Sequence, residues 1–271
     1  MTRGAARGMG AMLKAAIAAV KLVAAEEIMP RYLKVAHQRK SDGSLCTEAD
    51  VAAQAALTKK LQAILNVPVL GEEMSAMNQH AIWDSGSDGL WCVDPIDGTS
   101  NFVRGLPYFA VSIALLREGK SVLGVVYDPV ADEVFAAESG KGAFLNGEPL
   151  VKREAVGSLQ QALANVDLKR LGARLVTQLA SNPPYSSQRN FGASTLEWCY
   201  TAAGRYDLYL HGGQKLWDYA AGALILLESG GHACCIENDD FAQGDIWQRS
   251  VIAASDKKLY EEWKNWIRAQ Q

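Results

Sequence analysis

The chain has no Cys-x-x-Cys pair, no massed basic segment and no run approaching the roughly 18 apolar residues of a membrane span. Each absence excludes something. Its five cysteines (Cys46, Cys92, Cys199, Cys234 and Cys235) are odd in number, and adjacent Cys234-Cys235 cannot make an ordinary bridge. Reduced thiols in a cytoplasmic protein are therefore expected. With a formal net charge of −3 and scattered basic residues, nothing points to nucleic-acid binding. No G-x-G-x-x-G follows a strand, which removes a Rossmann-type nucleotide site. The apolar stretch behind Arg3 and Arg7 is broken by Lys14 and Lys21 and leads into Glu26-Glu27. Leu13, Ile17, Val20, Ala24 and Ile28 recur there at helical spacing, so it reads as an amphipathic helix and neither an export signal nor a membrane contact.

What is present is a chain of 271 residues, 49% hydrophobic and 21% charged, able to bury a sizeable core. Thr47-Glu48-Ala49-Asp50 has the form of a helix start, continued by Ala53, Leu57, Leu61 and Ile64. Short apolar strands are expected at 67–70, delivering Gly71-Glu72-Glu73, and at 90–93, delivering Asp94. Further strands follow at 109–116, 122–127, 133–137 and 143–145, with turns at Glu118-Gly119-Lys120 and Asn146-Gly147. Past residue 150, helices and strands alternate. A helix is expected at 194–203, and another from Tyr219 to Ser229, with Asp218 as its N-cap and Gly230-Gly231 closing it. A last helix places Leu259, Trp263, Trp266 and Ile267 on one face. The organisation expected is one compact unit, with an N-terminal α+β half (1–150) of antiparallel character and a C-terminal α/β half (151–271).

The most informative stretch is Asp94-Pro95-Ile96-Asp97-Gly98-Thr99-Ser100-Asn101-Phe102. It sets two carboxylates three residues apart in front of Gly-Thr-Ser, a peptide suited to gripping an anion. Pro95 stiffens the turn, Gly98 lets the main chain approach a ligand, and the amides that follow could point at a phosphate. Acids beside an anion site make chemical sense when cations lie between them, and Mg²⁺ prefers such oxygens. Glu72, Asp94, Asp97 and Asp218 all stand where strands end or helices begin, so two metals could share them, with the Ile96 carbonyl adding another hard oxygen. Singly, each acid has a plainer reading: a turn former, a helix cap or a solvated loop. The joint pattern favours a metal site.

On Gly71-Glu72-Glu73, the Asp94–Phe102 motif, Trp217-Asp218-Tyr219-Ala220-Ala221-Gly222 and Glu228-Ser229-Gly230-Gly231, the chain resembles the inositol monophosphatase family of Mg²⁺-dependent, lithium-sensitive phosphatases. Agreement extends through Lys40-Ser41-Asp42-Gly43-Ser44, Thr47-Glu48-Ala49-Asp50 and Gly204-Arg205-Tyr206-Asp207. The resemblance implies a layered αβαβα sandwich, usually a homodimer, holding two or three Mg²⁺ on Glu72, Asp94, the Ile96 carbonyl, Asp97 and Asp218. It implies hydrolysis of a small phosphorylated polyol by metal-activated water, with Thr99 and Asp50 as the pair that activates it. Phosphate and substrate contacts fall on Asp97, Gly98, Thr99, Gly192, Ala193, Ser194, His211 and Asp218.

His211 stands seven positions before Asp218, where inositol phosphatases often place a hydroxyl-binding Glu. Imidazole there weakens the case for inositol itself and could suit another polyol or a more anionic ligand. Ser100 after Thr99 resembles the inositol branch more than the adenosine bisphosphate or histidinol phosphate branches, which commonly carry Lys. Fructose 1,6-bisphosphate is a further candidate, although Arg104 and Arg189 read more readily as surface arginines than as a second phosphate site. The resemblance also leaves room for a regulatory binding protein of the same fold, a partner of RNA polymerase or ribosome-linked machinery.

Overall fold

The computed structural model describes residues 9–34, 37–39 and 45–271. Arg3, Arg7 and the Lys40–Ser44 match lie outside them. The expected N-terminal helix is α1 (Ala11–Val23), burying Leu13, Ala16, Val20 and Val23, and it runs on through a widened turn at Ala24–Ile28. A short two-stranded sheet, β1 (His37–Arg39) with β2 (Leu45–Thr47), leads into α2 (Glu48–Ile64). Thr47 and Asp50 form the reciprocal capping box that the sequence suggested.

A seven-stranded sheet follows, its strands adjacent in chain order: β3 (Val69–Gly71), β4 (Leu90–Asp97), β5 (Ala110–Arg117), β6 (Lys120–Asp128), β7 (Glu133–Glu138), β8 (Gly142–Leu145) and β9 (Glu148–Pro149). All neighbours are antiparallel except β3 and β4. That exception needs a crossover, and α3 (Ala76–Ser85) supplies it. Sequence periodicity did not show α3, because its ten residues bury only Gln79 and carry no apolar stripe. A six-residue helix, α4 (Thr99–Arg104), joins β4 to β5.

The second sheet has five strands in the order β11-β10-β12-β14-β13, from β10 (Leu163–Asp167), β11 (Ser187–Arg189), β12 (Leu208–Gln214), β13 (His232–Cys234) and β14 (Arg249–Ala254). Strands β11, β10 and β12 are mutually parallel, connected by α5 (Ala173–Ser181) and α6 (Ser194–Ala202). Then come α7 (Leu216–Glu228) and α8 (Lys257–Arg268). Helix α7 starts earlier than expected. Lys215 is its N-cap, and Asp218 sits in the first turn, its Oδ2 accepting the Lys215 amide at 2.8 Å.

Three apolar clusters define the layers. The first joins α1 and α2 to one face of the large sheet through Leu57, Leu61, Trp91, Val93 and Ile113. The opposite face of that sheet (Leu90, Cys92, Ala114, Phe135) packs on α6 and α7, which also cover Tyr209, Val251 and Ala253 of the small sheet. The far face of the small sheet (Val166, Leu208, Ile252) closes against Leu175 and Leu179 of α5 and Leu259, Trp263 and Ile267 of α8. The order is helix, sheet, helix, sheet, helix: the αβαβα sandwich that the resemblance implied. Among the described residues no helix is long and apolar enough to cross a membrane.

Candidate active site

Strand β4 does not end at Val93; it carries the acidic motif through to Asp97. Its register against β5 shifts between Asp94, opposite Ser112, and Asp97, opposite Ala110, so three steps on β4 face two on β5. In an unbroken strand, side chains an odd number apart point to opposite faces. The extra residue returns Asp94 and Asp97 to one side. Pro95 suits this place because it has no N–H to offer a ladder. The first turn of α7 brings Asp218 to the same spot, and one carboxylate oxygen from each of the three lies within 4.8 Å of the others.

Each acid is held in a particular way. Asp94 is 1% exposed, and its Oδ1 accepts the Ile96 amide at 3.1 Å. Burial, then the charges of Glu72, Asp97 and Asp218, push its carboxyl well above the usual range. Asp97 gives Oδ2 to both the amide (2.6 Å) and the hydroxyl (2.7 Å) of Thr195. Burial raises Asp97, and those bonds oppose the rise. Asp218 is raised by burial and by Asp97, with the nearby Arg170 charge pulling the other way.

Glu72 leaves the end of β3, its amide bonded to Val93 O at 3.1 Å, and its carboxylate stands beside Asp94. Gln79 Nε2 holds the carbonyls of Gly71 (2.9 Å) and Glu72 (3.2 Å), while Gln54 Oε1 takes the Glu73 amide at 3.0 Å.

Gly98 enters α4 at φ +88°, in the left-handed region. A Cβ there would lie 3.1 Å from Tyr108 O and 3.2 Å from Ala193 Cβ. The Thr99 hydroxyl stands 3.0 Å from Ile96 O and 3.3 Å from Asp50 Oδ1. Asp50, fully buried, spends Oδ2 on the amide and hydroxyl of Thr47 (2.7 and 2.6 Å) and turns Oδ1 to Thr99. The Ile96 side chain is buried; the single Thr99 proton can go to its carbonyl or to Asp50, and when it goes to Asp50 the Ile96 carbonyl need not accept from that hydroxyl.

The loop Gly192-Ala193-Ser194 comes against this centre from the other half of the chain. Asn101 Nδ2 reaches across to Phe191 O (2.6 Å) and Tyr108 O (2.7 Å), and the Gly192 amide donates to Glu197 Oε1 at 3.2 Å. Glu197 is 1% exposed, and burial followed by Asp97 pushes its carboxyl up to about 7. Ala193 is fully buried, so of the three loop residues it is Gly192 and Ser194 that keep surface. His211 is 4% exposed. Its Nδ1 accepts the Gly213 amide at 3.0 Å and its Nε2 lies 3.5 Å from Asp167 Oδ2. Both ring nitrogens face protein groups, the arrangement of a structural imidazole. Arg189 turns back onto Ser187 and Gln188 of its own strand.

Sequence reasoning did not find Gln54, Gln79, Thr195 or Glu197. The signal available for the last two was a pair of polar residues within the otherwise apolar Leu196, Trp198 and Cys199 stretch. The donor set itself is all carboxylate and carbonyl oxygen, buried or half-buried, with mutually repulsive acids. That chemistry fits a hard divalent cation of the Mg²⁺ kind.

The sequence pattern of the family described as "Inositol monophosphatase family" matches residues 9–270. The chain belongs to the inositol monophosphatase family. It is 35% identical over 240 residues to an inositol-1-monophosphatase of Caulobacter vibrioides, covering 85% of this chain and 90% of that one. It is 40% identical over 193 residues to the Nus factor SuhB of Haemophilus influenzae, covering 69% and 70%. Among solved structures, the Thermotoga maritima IMPase superposes with a TM-score of 0.82 at 26% identity, over 95% of this chain and 96% of that one. Family membership accounts for the layered fold.

Proposed function

We propose that this chain is a Mg²⁺-dependent phosphomonoester hydrolase acting on a small phosphorylated alcohol of the inositol 1-phosphate kind. The observation that carries this reading is the convergence of Asp94, Asp97 and Asp218, with Glu72 against Asp94, beside the Thr99–Asp50 pair. Mg²⁺ held by these acids and the Ile96 carbonyl would neutralise phosphate charge and lower the pKa of water. The rest is done by the chain. A Thr99 hydroxyl that donates to Asp50 presents its lone pairs to a water and orients its proton. The Gly98 and Thr99 amides, at the turn into α4, hold phosphate oxygens. Asp97 and Asp218 face the leaving side, and the Gly192–Ser194 loop bounds the alcohol. His211 acts by shaping the Gly213 segment. The reading extends to a homodimer, to a cytoplasmic location and to inhibition by Li⁺, as the resemblance implied.

The test is phosphate release from inositol 1-phosphate with Mg²⁺, with chelator and in Asp94→Asn. Release is expected to need Mg²⁺ and to fall at least about 10²-fold in the variant, the scale of losing a positioned charge-stabilising group. Undiminished release in chelator would refute the reading. The relatives named Nus factor SuhB support a second one, a regulatory binding role, and a chain that hydrolyses none of inositol 1-phosphate, adenosine 3′,5′-bisphosphate, histidinol phosphate and fructose 1,6-bisphosphate would favour it.

A further inference from the structure

On the proposed reading the alcohol half of the ester meets the carboxyl ends of the three parallel strands β11, β10 and β12, where α/β sheets form their crevices. Phe191 follows β11, Lys169 and Arg170 follow β10, and Gly212-Gly213 closes β12. Asp167 pairs in register with His211, so these segments leave the sheet at one level.

Of the two cations at this edge, Lys169 and Arg170, it is Arg170 whose placement is specific. Its backbone is left-handed, with φ +64°, a conformation that non-glycine residues keep where their surroundings impose it. The surroundings here are Gly212: a Cβ at that position would lie 2.4 Å from the Arg170 carbonyl carbon and 2.7 Å from Leu171 N. The exposed side chain is then steered by one bond, Nη1 to Gly213 O at 3.2 Å. Among the described residues no carboxylate lies within ion-pair distance of this guanidinium. Gly213 ties it to the His211 ring: its carbonyl accepts from Arg170, and its amide donates to His211 Nδ1 at 3.0 Å. Burial moves the His211 imidazole down to about 4, so the ring is uncharged at neutral pH. Asp167, the acid of this edge, is engaged by the Lys169 amide (2.7 Å) and faces the His211 ring. Where the family resemblance leads one to expect a carboxylate, this chain therefore has a neutral ring and, across Gly213, a guanidinium with no carboxylate partner among the described residues. Phe191, 48% exposed and against Tyr108 at 5.2 Å between ring centres, adds a flat wall for a larger alcohol half.

We infer that the preferred substrate carries a second anionic group, a phosphate or carboxylate, on its alcohol half, and that Arg170 is the residue that selects it. The fork geometry of guanidinium suits either anion. The alternative role for Arg170 is a counter-charge that merely relieves Asp218, and it would not distinguish substrates.

The inference rests on the phosphomonoester reading and is tested by discrimination within matched pairs. These are inositol 1-phosphate against inositol 1,4-bisphosphate, and adenosine 3′-phosphate against adenosine 3′,5′-bisphosphate. The intact chain is expected to favour the doubly anionic member of at least one pair about ten- to a hundredfold in kcat/KM, the scale of a charge-assisted bond. Arg170→Asn, which tolerates a left-handed backbone, is expected to bring that ratio close to one, and Arg170→Lys to keep part of it. A ratio unchanged in Arg170→Asn, or a ratio near one for the unaltered chain in both pairs, overturns the inference. If no ester is hydrolysed, the phosphatase reading falls on its own. Calorimetric dissociation constants for the same four compounds in Mg²⁺ then still report whether Arg170 discriminates.

Discussion

Thr195 spends both its amide and its hydroxyl on a single oxygen of Asp97, at 2.6 and 2.7 Å. The consequence is directional: Oδ2 is fixed, and with it the orientation of the carboxylate against Asp94 and Asp218. A residue that aims a ligand without touching the ion commonly changes metal affinity about 10- to 100-fold when it is replaced. Thr195→Val keeps the shape and the amide bond but removes the hydroxyl. It is expected to weaken Mg²⁺ binding at least about tenfold by calorimetry, with an unchanged circular dichroism spectrum and recovery in Thr195→Ser. Unaltered Mg²⁺ affinity in the valine variant would reduce Thr195 to a packing residue. The residue scale is also where the sequence was most and least readable. Asp94, Asp97 and Asp218 declared themselves through motif and spacing. Thr195, Gln54 and Gln79 did not, because a single polar residue in a helix has no pattern and its partner lies far along the chain.

Among the elements, β4 was read as ending where its most important feature begins. A bulge has no periodic signature, since it consists of a break in period; Pro95 was the visible trace. The turn that follows rests on Gly98, and two costs can be separated there. Placing a side chain in the left-handed region costs roughly 1–2 kcal/mol, and at Gly98 a Cβ would also press on Tyr108 O and Ala193 Cβ. Gly140 has a similar φ of +73° with nothing within 4 Å of a new Cβ, so Gly140→Ala carries the backbone cost alone. Gly98→Ala is expected to lower Tm by a few degrees more than Gly140→Ala, at about 2–4 °C per kcal/mol for a chain of this size. Only Gly98→Ala should also lower turnover. Equal losses of Tm in the two variants would show that the close approach at Gly98 carries no energetic weight. The start of α7 teaches a related lesson. An acid before an apolar run looks like a cap, yet Asp218 serves from inside the first turn, where its oxygens can face both Lys215 and the cluster.

At the scale of the whole molecule, the site draws on several layers at once: α2 gives Asp50, the large sheet gives Glu72, Asp94 and Asp97, and the central helices α6 and α7 give Thr195 and Asp218. The layers were legible as alternating apolar faces, and the convergence as acids placed where strands end or helices begin; the pairing of Asp50 with Thr99 was legible only through the family resemblance. One consequence is that the repulsion among these acids is stored in the packing of the entire sandwich. Their carboxyls are raised by burial and by one another, so the metal-free native state holds protons that the unfolded chain releases. For a group raised in this way, stability is full below the ordinary carboxylate range and is lost as pH climbs through the raised value. Mg²⁺ should reverse that loss by binding the native state alone, adding about 2.7 kcal/mol at a hundredfold excess over Kd. That corresponds to roughly 5–10 °C in Tm. Asp94→Asn keeps an oxygen for the Ile96 amide while deleting a charge. In chelator, the variant is therefore expected to melt above the unaltered chain, by a margin that widens from pH 5 to pH 8, and to gain little from Mg²⁺. A variant that melts lower at pH 8 in chelator, or an unaltered chain indifferent to Mg²⁺, would mean that the acids are relieved by something other than a cation.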